Sequence, residues 1–176
     1  MKNLDSALLK KFLLVAGEKL SGQWILVGGT LLPAVGVDAR ATVDIDLIGL
    51  GPAESAQTLE LMTIAESLSL PVDTINQAAA FFLNKVGYRE ADLLLLHEGS
   101  NAKIFRPSIA LYIKLKSARM TESDFIDCKN YFSFCEKNGD LVDKKIIATT
   151  IARALKKAAS EEALARLQQL KRALKI

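Results

Sequence analysis

The chain has 176 residues, half of them hydrophobic and 24% charged, which suits one soluble domain with a sizeable core, with or without a helical annex. Its net charge of +3 is uneven: from Lys137 to Ile176 there are ten Lys/Arg against four Asp/Glu, on a mildly acidic body. That tail either meets a polyanion or acidic partner, or is a solvated lysine-rich helix face. No apolar run is long enough to span a bilayer, and Asp5, Lys10 and Lys11 interrupt the stretch a signal peptide would need, so no membrane role and a cytoplasmic location are expected.

In chain order, Asp5 to Leu20 has apolar residues at helical spacing (Leu8, Leu9, Phe12, Leu13, Ala16), with Asn3 or Asp5 as cap. Gln23 to Val27 is predicted as a buried strand stopped by Gly28-Gly29, and Thr30 to Val35 as a short helix tolerating Pro33 in its first turn. Thr42 to Ile48 is predicted as a second strand, closed by Gly49, Gly51 and Pro52. Ala53 to Leu70 is expected to be helical, Pro71 to Ile75 extended, and Asn76 to Phe82 a helical turn. Asp92–His97 and Ala102–Phe105 are expected to form a hairpin through Glu98-Gly99-Ser100-Asn101. Four helices follow, over Ser108–Ala118, Ser123–Glu136, Val142–Ala158 and Glu161–Lys175, broken by Asn138-Gly139 and with Ser160 capping the last. The predicted fold is α/β (α+β): a small mixed sheet backed by helices over 1–106, and a helical region over 107–176 packed on that core.

The chemistry concentrates between Trp24 and Leu50. Phosphate-binding turns use glycine because the backbone must approach the anion and often needs positive φ. Gly28, Gly29 and Thr30 fit that role; a tight turn would also use them. Asp44 and Asp46, two apart on a strand, share one face while Ile45 points away. Charges on a solvent face are common, but this strand is otherwise apolar, so two carboxylates there are costly unless paired, hydrated or bound to metal. Hard oxygen ligands so placed suit Mg²⁺ or Mn²⁺. By contrast, His97 is the only histidine and nothing marks it as a catalytic base. Cys128 and Cys135, on one helix face about two turns apart, are too distant for a disulfide and too few for a His/Cys zinc site.

Gly-Gly-Thr followed by R-x-T-x-D-I-D-L resembles the signature of the polymerase-β-like minimal nucleotidyltransferases, most of all the bacterial nucleotidyltransferase-like proteins related to abortive infection and type IV toxin–antitoxin enzymes. Gly28 and Gly29 match the glycine pair, Arg40 and Thr42 the lead-in, and Asp44 and Asp46 the metal pair. Looser matches are Asp73 and Asn76 in LPVDTINQAAAFF, and Lys114, Lys116, Arg119, Asp124 and Asp127 in LYIKLKSARMTESDFIDC. The resemblance implies transfer of a nucleoside monophosphate from a nucleoside triphosphate to a hydroxyl on RNA such as tRNA, on protein or on a small molecule, with Mg²⁺ or Mn²⁺ as cofactor. It implies Asp44 and Asp46 as metal ligands and Gly28, Gly29, Thr30 and Arg40 as the nucleotide cradle.

It also implies that Lys114 or Lys116 offsets charge on the leaving pyrophosphate; being two apart, they lie on different helix faces. Arg119, Asp124 and Asp127 read equally as capping and an intrahelical ion pair. Active members use a third carboxylate, for which Asp73 is the first candidate and Asp92 the second. The alternative expectation is a catalytically inactive nucleotidyltransferase-like module that binds RNA or protein, such as a cognate toxin or antitoxin. An antibiotic-modifying transferase is a third reading. Any affinity for RNA is expected to draw on Lys156, Lys157, Lys171 and Arg172, and so to weaken with salt.

Overall fold

The computed structural model describes residues 4–37, 42–51 and 57–176, and the chain divides into two compact units, Met1–Pro107 and Ser108–Ile176. Arg40 and the predicted helix start at Ala53 lie outside the described residues, as does Asn3. Among the described residues the architecture is mixed α/β, with one four-stranded mixed sheet and eight α-helices.

In the first unit, helix α1 (Ser6–Lys19) starts at Asp5, whose Oδ1 accepts the Leu8 N–H at 2.8 Å. Its buried stripe is Leu9, Phe12, Leu13, Ala16 and Gly17. Glycines are needed at 17 and 99 because the hairpin crosses α1 there: the Asn101 N–H donates to the Gly17 carbonyl at 3.1 Å, a Cβ on Gly17 would stand 2.8 Å from the His97 ring, and one on Gly99 2.2 Å from the Gly17 oxygen. The Asn101 side-chain amide also donates to the Glu18 carbonyl. These contacts pin α1 to the β-hairpin.

The sheet order is β2-β1-β4-β3, with β1 (Gly22–Val27) antiparallel to β2 (Asp46–Leu50) and parallel to β4 (Ala102–Pro107), and β3 (Leu93–Glu98) closing the hairpin antiparallel to β4. Trp24, Ile25 and Leu26 of the central strand are wholly buried. The second strand departs from expectation: its ladder starts at Asp46, not Thr42, and continues through Gly49 to Leu50. The cause is Gly28. At φ +73° it turns β1 away after Val27, and the β1–β2 ladder ends at the Val27–Asp46 pair.

A four-residue helix, α2 (Leu31–Ala34), follows the glycine turn. Helix α3 (Thr58–Ser67) packs on α1 through its buried Leu61, Ile64 and Ala65 and ends before Ser69, which stands at φ +56°. The Pro71–Ile75 stretch, expected to be extended, is a 3-10 turn at Val72–Thr74 followed by one bridging residue, Ile75. Helix α4 (Ala79–Val86) starts three residues later than expected, because the Asn76 side-chain oxygen accepts the Ala78 N–H at 3.0 Å and holds Asn76 outside the helix. It ends at Gly87, φ +64°.

The second unit comprises α5 (Ile109–Ser117), α6 (Glu122–Lys137), α7 (Lys144–Leu155) and α8 (Glu161–Ala173). All four have side-chain caps, from Ser108, Thr121, Asp143 and Ser160 respectively. Helix α5 packs on α6 and α7, and α8 on the same two. Tyr112 and Tyr131 meet at 4.7 Å between ring centres in a core shared with Cys128, Cys135, Ile147, Ile151, Leu167 and Leu170. Burial raises the Cys128 thiol far above its usual range, so it stays a protonated packing group. No helix among the described residues is long and apolar enough to cross a membrane.

Candidate metal and nucleotide site

Three short segments converge on Asp46. In the ladder it opposes Val27, the last residue of β1. One residue on, the chain turns at Gly28, and the Asp46 carboxylate sits on that turn: a Cβ built on Gly28 would lie 1.8 Å from Asp46 Oδ2 and 2.7 Å from Cγ. Only glycine leaves that space and also accepts φ +73°. The glycine called for by a phosphate turn is thus the one required for Asp46 to lie where it does.

The third segment comes from the 3-10 turn. The Ile45 N–H donates to the Thr74 carbonyl at 2.7 Å, and the Asn76 N–H donates to the Ile45 carbonyl at 3.0 Å, forming a parallel bridge between Ile45 and Ile75. In such a bridge the flanking residues share the opposite face. Asn76 accordingly lies beside Asp46, and its Nδ2 donates to Asp46 Oδ1 at 2.7 Å. Asp44 is exposed, Ile45 wholly buried and Asp46 half-buried, but only Asp46 belongs to β2, whose next four residues are all buried.

Asp73 is exposed in the 3-10 turn, one residue before the buried Thr74, while from the same stretch the Asn76 amide donates to Asp46. Asp92 is engaged elsewhere: it accepts the Arg89 backbone N–H at 2.9 Å and the Arg89 guanidinium at 3.2 and 3.3 Å, closing the turn before β3. Among the described residues no group of three His, Cys, Asp or Glu side chains is placed to hold a metal. A pair suffices for Mg²⁺, which commonly takes one or two protein carboxylates and completes its shell with substrate phosphates and water. The donor set of Asp44 and Asp46 fits that chemistry.

Thr30 is wholly buried, and its hydroxyl points back toward the Val27 carbonyl at 3.5 Å, so this side chain braces the turn from within. The half-buried Gly29 accepts the Leu32 N–H at 3.4 Å.

The lysines belong to the second unit. Lys114 is exposed and Lys116 is buried, as their spacing on two helix faces requires. Lys116 Nζ donates to Asp124 at 2.8 Å and to Asp127 at 3.0 Å. Arg119 adds a two-pronged contact to Asp124, at 2.8 and 3.0 Å, and Thr121 donates to the same carboxylate from its N–H and hydroxyl. Two cations thus meet two carboxylates, and each buried charge has a partner. Burial alone would raise the Asp124 carboxyl, but its bonds from Arg119, Lys116 and Thr121 prevail and hold it well below the usual range. Burial pulls the Lys116 ammonium down, and the two carboxylates outweigh it, leaving its pKa raised. Burial first, with Asp127 second, lifts the Tyr112 phenol well above its ordinary value.

Sequence alone did not single out Asn76 as the immediate partner of Asp46. The pattern was present, since an Asn side chain favours a turn that bonds the backbone N–H two residues on, here Ala78 just before the helix. Compared with protein-family models, with curated proteins and with solved structures, the chain matches none.

Proposed function

We propose that this chain is a metal-dependent nucleotidyltransferase of the minimal type, which takes a nucleoside triphosphate with Mg²⁺ or Mn²⁺ and passes the nucleoside monophosphate to a hydroxyl on RNA, such as tRNA, or on protein. The observation that carries it is the Asp46 carboxylate seated on Gly28 at positive φ, with Asp44 exposed two residues away. A glycine turn that lets an anion approach, beside Asp46 and with the Asp44 carboxylate two residues away in sequence, would suit a triphosphate and its cation. In the reaction the acceptor oxygen bonds to the α-phosphorus, the bond from that phosphorus to the pyrophosphate oxygen breaks, and the acceptor proton passes to water or a nearby carboxylate. A bound divalent ion would polarise the phosphate and stabilise the leaving oxygen. Asp44 and Asp46 would hold it, Asn76 would fix the Asp46 rotamer, and Gly28 and Gly29 would let the phosphates approach. Asp73 is the remaining carboxylate on that stretch for proton removal. Function as part of a toxin–antitoxin pair, and a cytoplasmic location, belong to the same proposal.

One observation favours a second reading, a nucleotidyltransferase-like module that binds nucleotide, RNA or a protein partner without transfer. Asp46 is bonded to an amide at Asn76, and Asp73 is exposed on the neighbouring turn. Calorimetry with a non-hydrolysable triphosphate and Mg²⁺, beside a turnover assay, separates the two. Binding with turnover supports the enzyme, and binding alone supports the module. Absence of binding, or binding that Asp44→Asn and Asp46→Asn leave unchanged, removes the site from both.

A further inference from the structure

We propose that Phe81 and Phe82 of α4 form the stacking surface for the base of the triphosphate, an inference that rests on the function proposed above. Both rings are displayed to solvent: Phe81 is 66% and Phe82 49% exposed, with ring centres 5.5 Å apart and planes at 82°. They are not part of the packing seam of α4, which is anchored by the wholly buried Leu83 and lies against β2. Asn84 and Lys85, also exposed, flank them. Two rings among polar neighbours fall far short of the roughly 800 Å² per partner that a stable protein interface uses. They match the size of one planar base.

Their position follows from Asn76. Its amide donates to Asp46, while its oxygen accepts the Ala78 N–H at the residue preceding α4. Phe81 is three residues beyond Ala78, a rise of about 4.5 Å along a helix. The first exposed ring is therefore within one turn of the helix end that Asn76 ties to Asp46. Lys85 Nζ lies 6.0 Å from the Phe81 ring centre, and there is no acidic residue from Asn76 to Tyr88. This face thus combines aromatic surface with positive charge, the pairing suited to a phosphate-bearing base. Stacking uses the π-face that every base has, so all four nucleoside triphosphates should bind.

The test is calorimetry on the full chain with Mg²⁺, using each nucleoside triphosphate in turn and inorganic tripolyphosphate, for the wild type, Phe81→Ala and the Phe81→Ala/Phe82→Ala pair. Both rings are solvent-facing, so thermal melting should stay unchanged. The wild type should bind nucleoside triphosphates more tightly than tripolyphosphate. The variants should lose at least about fivefold in nucleotide affinity, the low end for removing an aromatic partner from a base, with tripolyphosphate affinity unaltered. Equal affinity for the two ligand kinds in the wild type, or nucleotide affinity unchanged in the double variant, would overturn the stacking surface while leaving the phosphate site standing. If neither ligand binds, the triphosphate site fails, and the stacking surface with it.

Discussion

Replacing Gly28 by alanine should damage this protein in a way that replacing Gly36 does not. The two glycines have nearly the same φ, +73° and +80°, so each substitution carries the left-handed strain of about 1–2 kcal/mol. Beyond that they differ. A Cβ on Gly36 meets nothing within 4 Å among the described residues, whereas one on Gly28 meets Asp46 Oδ2 at 1.8 Å, Cγ at 2.7 Å and Cβ at 3.2 Å. Relief requires the Asp46 carboxylate to rotate away, and Oδ1 is held by Asn76 at 2.7 Å. Breaking a hydrogen bond to a charged group adds about 1.5–3 kcal/mol. Urea denaturation should therefore place Gly36→Ala about 1–2 kcal/mol below the wild type, and Gly28→Ala about 1.5–3 kcal/mol lower still. Equal losses in the two variants would mean that the Asp46 carboxylate does not sit on the Gly28 turn, and the geometry of the site would have to be abandoned.

Three further outcomes follow from the same geometry. Lys116→Met removes from the buried Asp124 and Asp127 the ammonium that bridges them, leaving Arg119 on Asp124, and should cost about 3–5 kcal/mol in urea denaturation. Arg119→Gln, at a side chain 68% exposed, should cost about 1 kcal/mol or less, and equal losses would contradict the assignment of Lys116 as the buried centre. The same cluster sets a pH dependence. The lowered Asp124 contributes stability above its unfolded pKa near 3.9, lost as pH falls toward its native value, while the raised Lys116 contributes below about 10.4, lost as pH climbs through its native value. Urea midpoints should fall at both ends, and an Asp124→Asn variant that keeps the full acid limb would refute the acid half. Finally, Asn76→Asp puts a carboxylate beside Asp46, so it should destabilise the metal-free protein at neutral pH and tighten Mg²⁺ binding measured by calorimetry. Unchanged Mg²⁺ affinity would argue that Asp46 faces no cation.

Much of the fold was legible because its boundaries are written as caps. Asp5 and Ser160 each accept a backbone N–H at the start of the helix that their positions announced. The β3–β4 hairpin was equally plain from its turn residues. The register of β2 was not, because it depends on where β1 stops, and that is decided by one glycine dihedral rather than by strand propensity. The role of Asn76 was hidden for a related reason: which residue of 72–76 lies beside Asp46 depends on which one bridges Ile45. One step in that pairing exchanges the residues on the Asp46 face. Lys116 shows a third kind of limit. Its spacing from Asp124 and Asp127 is compatible with either a phosphate ligand or an ion cluster, and burial, which brings it to both carboxylates, is a tertiary property.

The central claim is that Asp44 and Asp46 serve nucleotidyl transfer, and its most direct measurement is label transfer. The full chain is incubated with each α-labelled nucleoside triphosphate and Mg²⁺, with total tRNA or cell lysate as acceptor, beside the Asp44→Ala/Asp46→Ala double variant. The wild type should label an acceptor and the variant should not. Transfer of equal size by both would contradict the claim outright.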